Sequence, residues 1–248
     1  MPEFWLVVAA GSVAAFLVGL SKGGLALIGA LGVPVLALVI SPVRAAAVLL
    51  PVYVLSDMAG LWVYRREFSA ENLKILMPAA VAGIGIGWAT ASYVSDRGVG
   101  LLVGLIGLGF CWNSWRRRHE VLDPQPVELR RGVLWGTVIG FASFVSHSGG
   151  PAYQVYVLPQ RLPKMVYAGT TTILFAFMNV LKLVPYWALG QLSAGNLRVA
   201  AYLAIPAIAG TLIGVQLVRV LPQRRYFAVV QVLLFAVSLR LVLKAAGI

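Results

Sequence analysis

The sequence predicts an all-α polytopic membrane protein made of two inverted repeats, each a broken, re-entrant hairpin followed by three transmembrane helices. Three observations predict it. The 248 residues are 60% hydrophobic and 11% charged, with a mean hydropathy of +0.88, where a soluble domain carries about a quarter charged residues. Apolar runs of membrane-spanning length recur from end to end. A set of short motifs occurs twice, in the same order.

The apolar segments are 4–20, 23–40, 43–64, 73–94 and 98–115 in the first half, and 131–146, 149–159, 164–188, 196–218 and 225–246 in the second. Between the halves lies the long charged stretch RRRHEVLDPQPVELR, residues 116–130. The expected organisation is a first transmembrane repeat over 1–115, a basic cytoplasmic linker over 116–130 and a second transmembrane repeat over 131–248, with no separate soluble domain. The N-terminal run has Glu3 in place of a basic leader region and no convincing cleavage site, so it is expected to be retained.

The repeat rests on four echoes. Ser21-Lys22-Gly23-Gly24 breaks the first hydrophobic run as Ser146-His147-Ser148-Gly149-Gly150 breaks a later one. Pro42 is matched by Pro163, and Ser69-Ala70-Glu71-Asn72-Leu73 by Ser193-Ala194-Gly195-Asn196-Leu197. Gly83/Gly87 is matched by Gly210/Gly214, and all offsets fall between 121 and 127. A span needs about 17–25 residues, and segment 149–159 is too short. Segments 4–20 with 23–40, and 131–146 with 149–159, are therefore expected to turn inside the membrane, where unwound backbone must be buried or line a cavity.

Basic residues set the orientation. Arg65, Arg66 and Lys74 flank one loop; Arg116, Arg117, Arg118, Arg130 and Arg131 flank the linker; Arg161 and Lys164, and then Arg219, Arg224 and Arg225, mark two more. Placing these loops in the cytoplasm makes the two repeats run in opposite directions and leaves both termini outside. The net charge of +12 is accounted for by this pattern, which argues for a lipid bilayer and against nucleic acid as the partner.

Chemistry is expected at the two breaks. A helix starting near Gly23 would offer free N–H donors and a positive dipole end to an anion, with Lys22 adding a cation; the alternative is a tight hairpin whose Lys22 snorkels to the headgroups. At the second break His147, Ser146, Ser148 and the backbone of Gly149 and Gly150 can donate, with Gln154 one turn along; the alternative is a helix end capped by serines. Asp57 is the only acid well inside an apolar segment, the other seven lying at ends or loops. It reads either as the carrier of a coupling proton or as the structural partner of a buried cation such as Lys182. Thr172, Asn179 and Lys182 share a helix face by spacing. The glycine pairs Gly83/Gly87, Gly100/Gly104, Gly136/Gly140 and Gly210/Gly214 read as close helix packing.

One cysteine, Cys111, and two histidines preclude an intrachain disulfide and a full protein metal site. No enzyme motif or phosphate-binding loop occurs, so the expectation is a transporter without cofactor or metal, drawing on ion or substrate gradients.

The run GLSKGGLALIGALGVPVLAL, the glycine-rich break opening each half and the second Ser-x-Ser-Gly-Gly resemble the sulfite exporter TauE/SafE family over nearly the whole chain. The resemblance implies a bacterial inner-membrane carrier of sulfite, sulfoacetate or other organosulfonates. The combined expectation is that both breaks meet near the midplane as an anion site, exposed alternately as the repeats rock, with protons as candidate coupling ion; a homodimer is compatible with it. A passive anion channel and a membrane scaffold protein are the competing classes.

Overall fold

The apolar segments read from the sequence fold as helices. The computed structural model describes residues 2–90, 93, 95–116, 123–188 and 193–247, and no strand occurs among them. Helix α1 spans Pro2–Lys22; a 3-10 turn over Ala26–Leu31 leads to the five-residue α2, Gly32–Leu36. Then come α3 (Pro42–Tyr64), α4 (Ala70–Thr90), α5 (Asp96–Arg116), α6 (Leu129–Ser146) and α7 (Gly149–Val157). A short 3-10 turn over Leu158–Gln160 precedes α8 (Lys164–Ala188), α9 (Ala194–Val220) and α10 (Gln223–Ala246). Within the expected linker, residues 117–122, including Arg117 and Arg118, lie outside the described residues.

Seven of the described helices, α1, α3, α4, α5, α8, α9 and α10, are long and apolar enough to cross a membrane, so the chain is a multi-pass membrane protein. Of five tryptophans near segment ends, Trp62, Trp112, Trp115 and Trp187 are exposed and Trp135 is half-buried. The Ser-Ala-x-Asn-Leu motif is a helix start used twice: Ser69 Oγ accepts from the Asn72 N–H and Ser193 Oγ from the Asn196 N–H, each at 3.3 Å.

The chain forms two compact units. One comprises Met1–Phe68 and Ala168–Leu221, the other Ser69–Tyr167 and Pro222–Ile248. Each therefore takes helices from both sides of the linker. In the first unit α1 and α3 pack on α9; in the second α4 packs on α6, α5 on α10, and α7 on both α5 and α6.

Members of the expected glycine pairs lie at close helix approaches, while at Gly100 a Cβ would meet only the Leu241 side chain, at 3.6 Å. In the first unit a Cβ at Gly19 would fall on the Ala207 carbonyl, and one at Gly210 on the Phe16 carbonyl. In the second, a Cβ at Gly140 would fall on the Ala80 carbonyl and one at Gly83 on the Thr137 carbonyl. The two crossings correspond residue for residue: Phe16 and Gly19 lie 121 positions before Thr137 and Gly140, and Ala80 and Gly83 lie 127 before Ala207 and Gly210. Without a hydrophobic drive between helices in lipid, such backbone approach is what holds them together. The core of the first unit is correspondingly fine-grained, with Ala14, Ala15 and Val18 of α1 against Val48 and Val52 of α3 and Ala200, Leu203 and Ala207 of α9.

Both breaks are visible. α1 stops at Lys22 and the chain turns at Gly24 with φ +117°, a conformation suited to glycine. α6 is closed by His147 in the left-handed region, φ 51°. The arms that follow are short: nine residues in α7 reach about 14 Å against an apolar core of about 30 Å.

Candidate functional site

The polar interior of the first unit gathers around the end of α1. Lys22 is 5% exposed and Asp57 2%, so Lys22 does not snorkel. Its Nζ lies 2.8 Å from Asp57 Oδ1, and Asn179 Nδ2 donates to Asp57 Oδ2 at 2.8 Å. The ring of Tyr53 stands 5.1 Å from the same ammonium, and the Tyr53 hydroxyl donates to the Gly29 carbonyl at 3.3 Å. Lys182, one turn beyond Asn179, is equally buried and within Coulombic reach of both Lys22 and Asp57.

The backbone at the break is held by side chains from two other helices. The last carbonyls of a helix have no partner within it. Here Thr172 Oγ1 donates to the Lys22 carbonyl at 3.1 Å and the Tyr64 hydroxyl to the Gly23 carbonyl at 2.6 Å. A Cβ at Gly60 would stand 3.0 Å from the Lys22 carbonyl and 2.7 Å from the Thr172 methyl, so only glycine lets α3 come this close. Ser21 turns back to its own helix, donating to the Val18 carbonyl at 2.6 Å.

One expectation is corrected here. No helix begins at Gly23. The N–H of Gly23 bonds to the Gly19 carbonyl, that of Gly24 to Ser21 and that of Leu25 to Leu20; regular structure resumes only at Ala26. The donors expected for an anion at this break are used to close α1, and the dipole end at Lys22 is the negative one. Gly23 has a packing reason of its own, since a Cβ there would stand 2.5 Å from the Gly214 Cα. Any attraction for an anion at the first break comes from the lysines.

Charge follows from composition. Two lysines and one aspartate are buried together, and no other acid is buried among the described residues. A single charge at membrane depth costs about 2.5–3.5 kcal/mol even on the lenient insertion scale. A close pair whose free oxygen is also hydrogen-bonded is the form in which ions are tolerated there. Of the sequence alternatives for Asp57, the pairing with a buried cation is the one seen, and that cation is Lys22.

The second unit has a different break. α7 does begin at Gly149, with Ser148 at its N-cap position, buried, and its side chain making no cap bond. The N–H groups of His147 and Ser148 both reach the Ala142 carbonyl. A Cβ at Gly149 would stand 2.8 Å from the Ile139 carbonyl. Gln154 is 1% exposed and its Oε1 has no hydrogen-bond partner. His147 is half-buried, and the side chain of Ser146 lies outside the described residues. This break offers a helix N-terminus and neutral polar groups, with no buried ion.

Three residues of the first cluster escape a reading by motif: Tyr53, Gly60 and Tyr64. Their signal was periodic. With Asp57 they are spaced four, three and four along α3, the stripe of one helix face, and that face meets Thr172, Asn179 and Lys182 of α8. The expected face of α8 thus looks inward. No group of three or more metal-binding side chains occurs among the described residues.

The sequence profile of the family described as sulfite exporter TauE/SafE matches residues 7–241. No curated protein and no solved structure matches the chain.

Proposed function

The chain belongs to the sulfite exporter TauE/SafE family, and on that premise we propose that it carries sulfite or an organosulfonate across the bacterial inner membrane by alternating access, with Lys22, Asp57 and Lys182 as the core of its anion site. Membership makes it a membrane transporter of sulfur anions. The finer reading is carried by one observation: two buried lysines face one buried aspartate. A cluster with this surplus is completed by a small anion. Asn179 and the ring of Tyr53 fix the pair, while Thr172, Tyr64 and the Gly23-Gly24 turn fix the backbone that carries Lys22.

Within its own unit the second break, Ser146 to Gly150 with Gln154, offers neutral hydrogen bonding and the positive dipole end of α7. The repeat plan is supported by the two glycine crossings and by the twin serine caps. Its inverted sense, with a cytoplasmic linker and both termini outside, is supported by the basic loops.

The test is a thermal-shift screen of the purified protein in detergent against sulfite, sulfate, thiosulfate, sulfoacetate, taurine and simple carboxylates. A bound anion stabilises by RT ln(1 + [L]/Kd). Stabilisation by a sulfur anion that is lost in Lys182→Gln, which leaves the Lys22–Asp57 pair intact, supports the site. Stabilisation unchanged in Lys182→Gln moves the site elsewhere.

A further inference from the structure

We propose that the cluster of Lys22, Asp57 and Lys182 selects its substrate by charge: it takes sulfur anions carrying one negative charge, such as an alkanesulfonate or hydrogensulfite, and turns away those carrying two, such as sulfate or sulfoacetate. This rests on the reading of the cluster as the anion site and narrows the substrate class of that site. The charge count comes first. Lys22, Asp57 and Lys182 are the only acidic or basic side chains buried among the described residues. Lys22 Nζ lies 2.8 Å from Asp57 Oδ1, so that pair closes on itself. What remains to meet a ligand is at most the one positive charge of Lys182.

Neutral groups do not make up for a second charge. The hydroxyls of Ser21, Tyr53, Tyr64 and Thr172 all donate to backbone carbonyls, those of Val18, Gly29, Gly23 and Lys22. Asn179 is engaged with Asp57 Oδ2. α1 meets the cluster with its C-terminus, the negative end of its dipole, which opposes further negative charge. A monoanion beside Lys182 leaves the buried charges balanced. A dianion leaves one negative charge that no buried cation meets, and such a charge is costly at membrane depth. Turning a competitor away by leaving its charge unpaired is a common route to specificity. Sulfite, which near neutral pH exists partly as hydrogensulfite, is then taken in its singly charged form.

The experiment measures binding by calorimetry to the full chain in detergent, near neutral pH and at matched ionic strength. The probes are methanesulfonate and sulfate, which share a tetrahedral sulfur and differ at one position, a methyl group against a charged oxygen. Methanesulfonate is expected to bind at least about tenfold more tightly than sulfate. Asp57→Asn keeps the size of the side chain and removes its negative charge, so the cluster has room for a second one. In that variant the ratio is expected to turn toward sulfate by about tenfold or more. Sulfate binding as tightly as methanesulfonate to the parent protein overturns the proposal. So does a ratio left unchanged in Asp57→Asn, which would trace the preference to the methyl group. Should that variant not fold, isethionate against sulfoacetate in the parent protein decides, since both have a polar tail and they differ by one charge; equal affinities overturn the proposal. If neither methanesulfonate nor sulfate binds the parent, the anion-site reading itself falls, a different failure from binding without regard to charge.

Discussion

The two breaks occupy matching places in the two halves of the sequence, yet they are built differently: the first ends α1 with no α-helix starting directly behind it, while the second ends α6 and starts α7 at once. The first is a helix C-terminus whose carbonyls are bonded by Thr172 and Tyr64 and whose last side chain, Lys22, is buried in an ion pair. The second is the N-terminus of α7, with Ser148, Gly149 and Gln154 buried and uncharged. The matching motifs therefore carry different electrostatics. Specific charge is concentrated in one unit, and neutral hydrogen-bonding capacity in the other.

That contrast is easiest to break at the ion pair. Lys22→Met or Asp57→Leu alone is expected to cost about 3–5 kcal/mol by stranding a buried charge, read as a steep fall in the thermal midpoint in detergent. The double variant Lys22→Met/Asp57→Leu is expected to recover most of it. At the second break, Gln154→Leu is expected to shift stability by no more than about 1 kcal/mol, since its buried carbonyl oxygen has no partner to lose. Equal losses at the two breaks would erase the contrast.

The next effects probe what the units share. Gly19→Leu and Gly140→Leu each drive a side chain into a facing carbonyl and are expected to cost about 1–3 kcal/mol or more. The losses should match if the crossings are equivalent; a large difference in thermal midpoint would separate them. Smaller again, Tyr64→Phe removes the bond to the Gly23 carbonyl at about 1–2 kcal/mol. Smallest is His147→Gly. Glycine accepts the positive φ of this residue without strain, so stability should hold within about 1 kcal/mol. Transport should drop; unchanged transport would leave His147 as a helix terminator alone.

Much of this was legible in the sequence because the bilayer simplifies it. A span must be apolar and of fixed length, so the helices from Pro42 to Tyr64 or Gln223 to Ala246 announce themselves. Glycines at i and i+4 announce close crossings, as at Gly83/Gly87 and Gly210/Gly214. Asp57 stood out as an intramembrane acid. The reading went astray where the sequence gives composition without direction. Ser-Lys-Gly-Gly marks a break but not whether a helix is ending or starting there, and so not which dipole end it presents. Nor can spacing along one helix name a partner on another. Lys182, at the matching offset, was the candidate for Asp57, but the fold delivers Lys22, 35 positions earlier in the chain. The stripe of Tyr53, Asp57, Gly60 and Tyr64 was readable as a face, but its aromatic members look like ordinary membrane residues until the lysine lies against them.

The most direct test asks whether the buried pair is a site or only a strut. Reconstituted in proteoliposomes, the parent protein and the double variant Lys22→Met/Asp57→Leu are compared for uptake of labelled sulfite. Both are expected to fold with similar thermal midpoints, and only the parent protein is expected to move sulfite. A well-folded double variant that transports like the parent would contradict the account, leaving the pair as architecture and the anion site elsewhere.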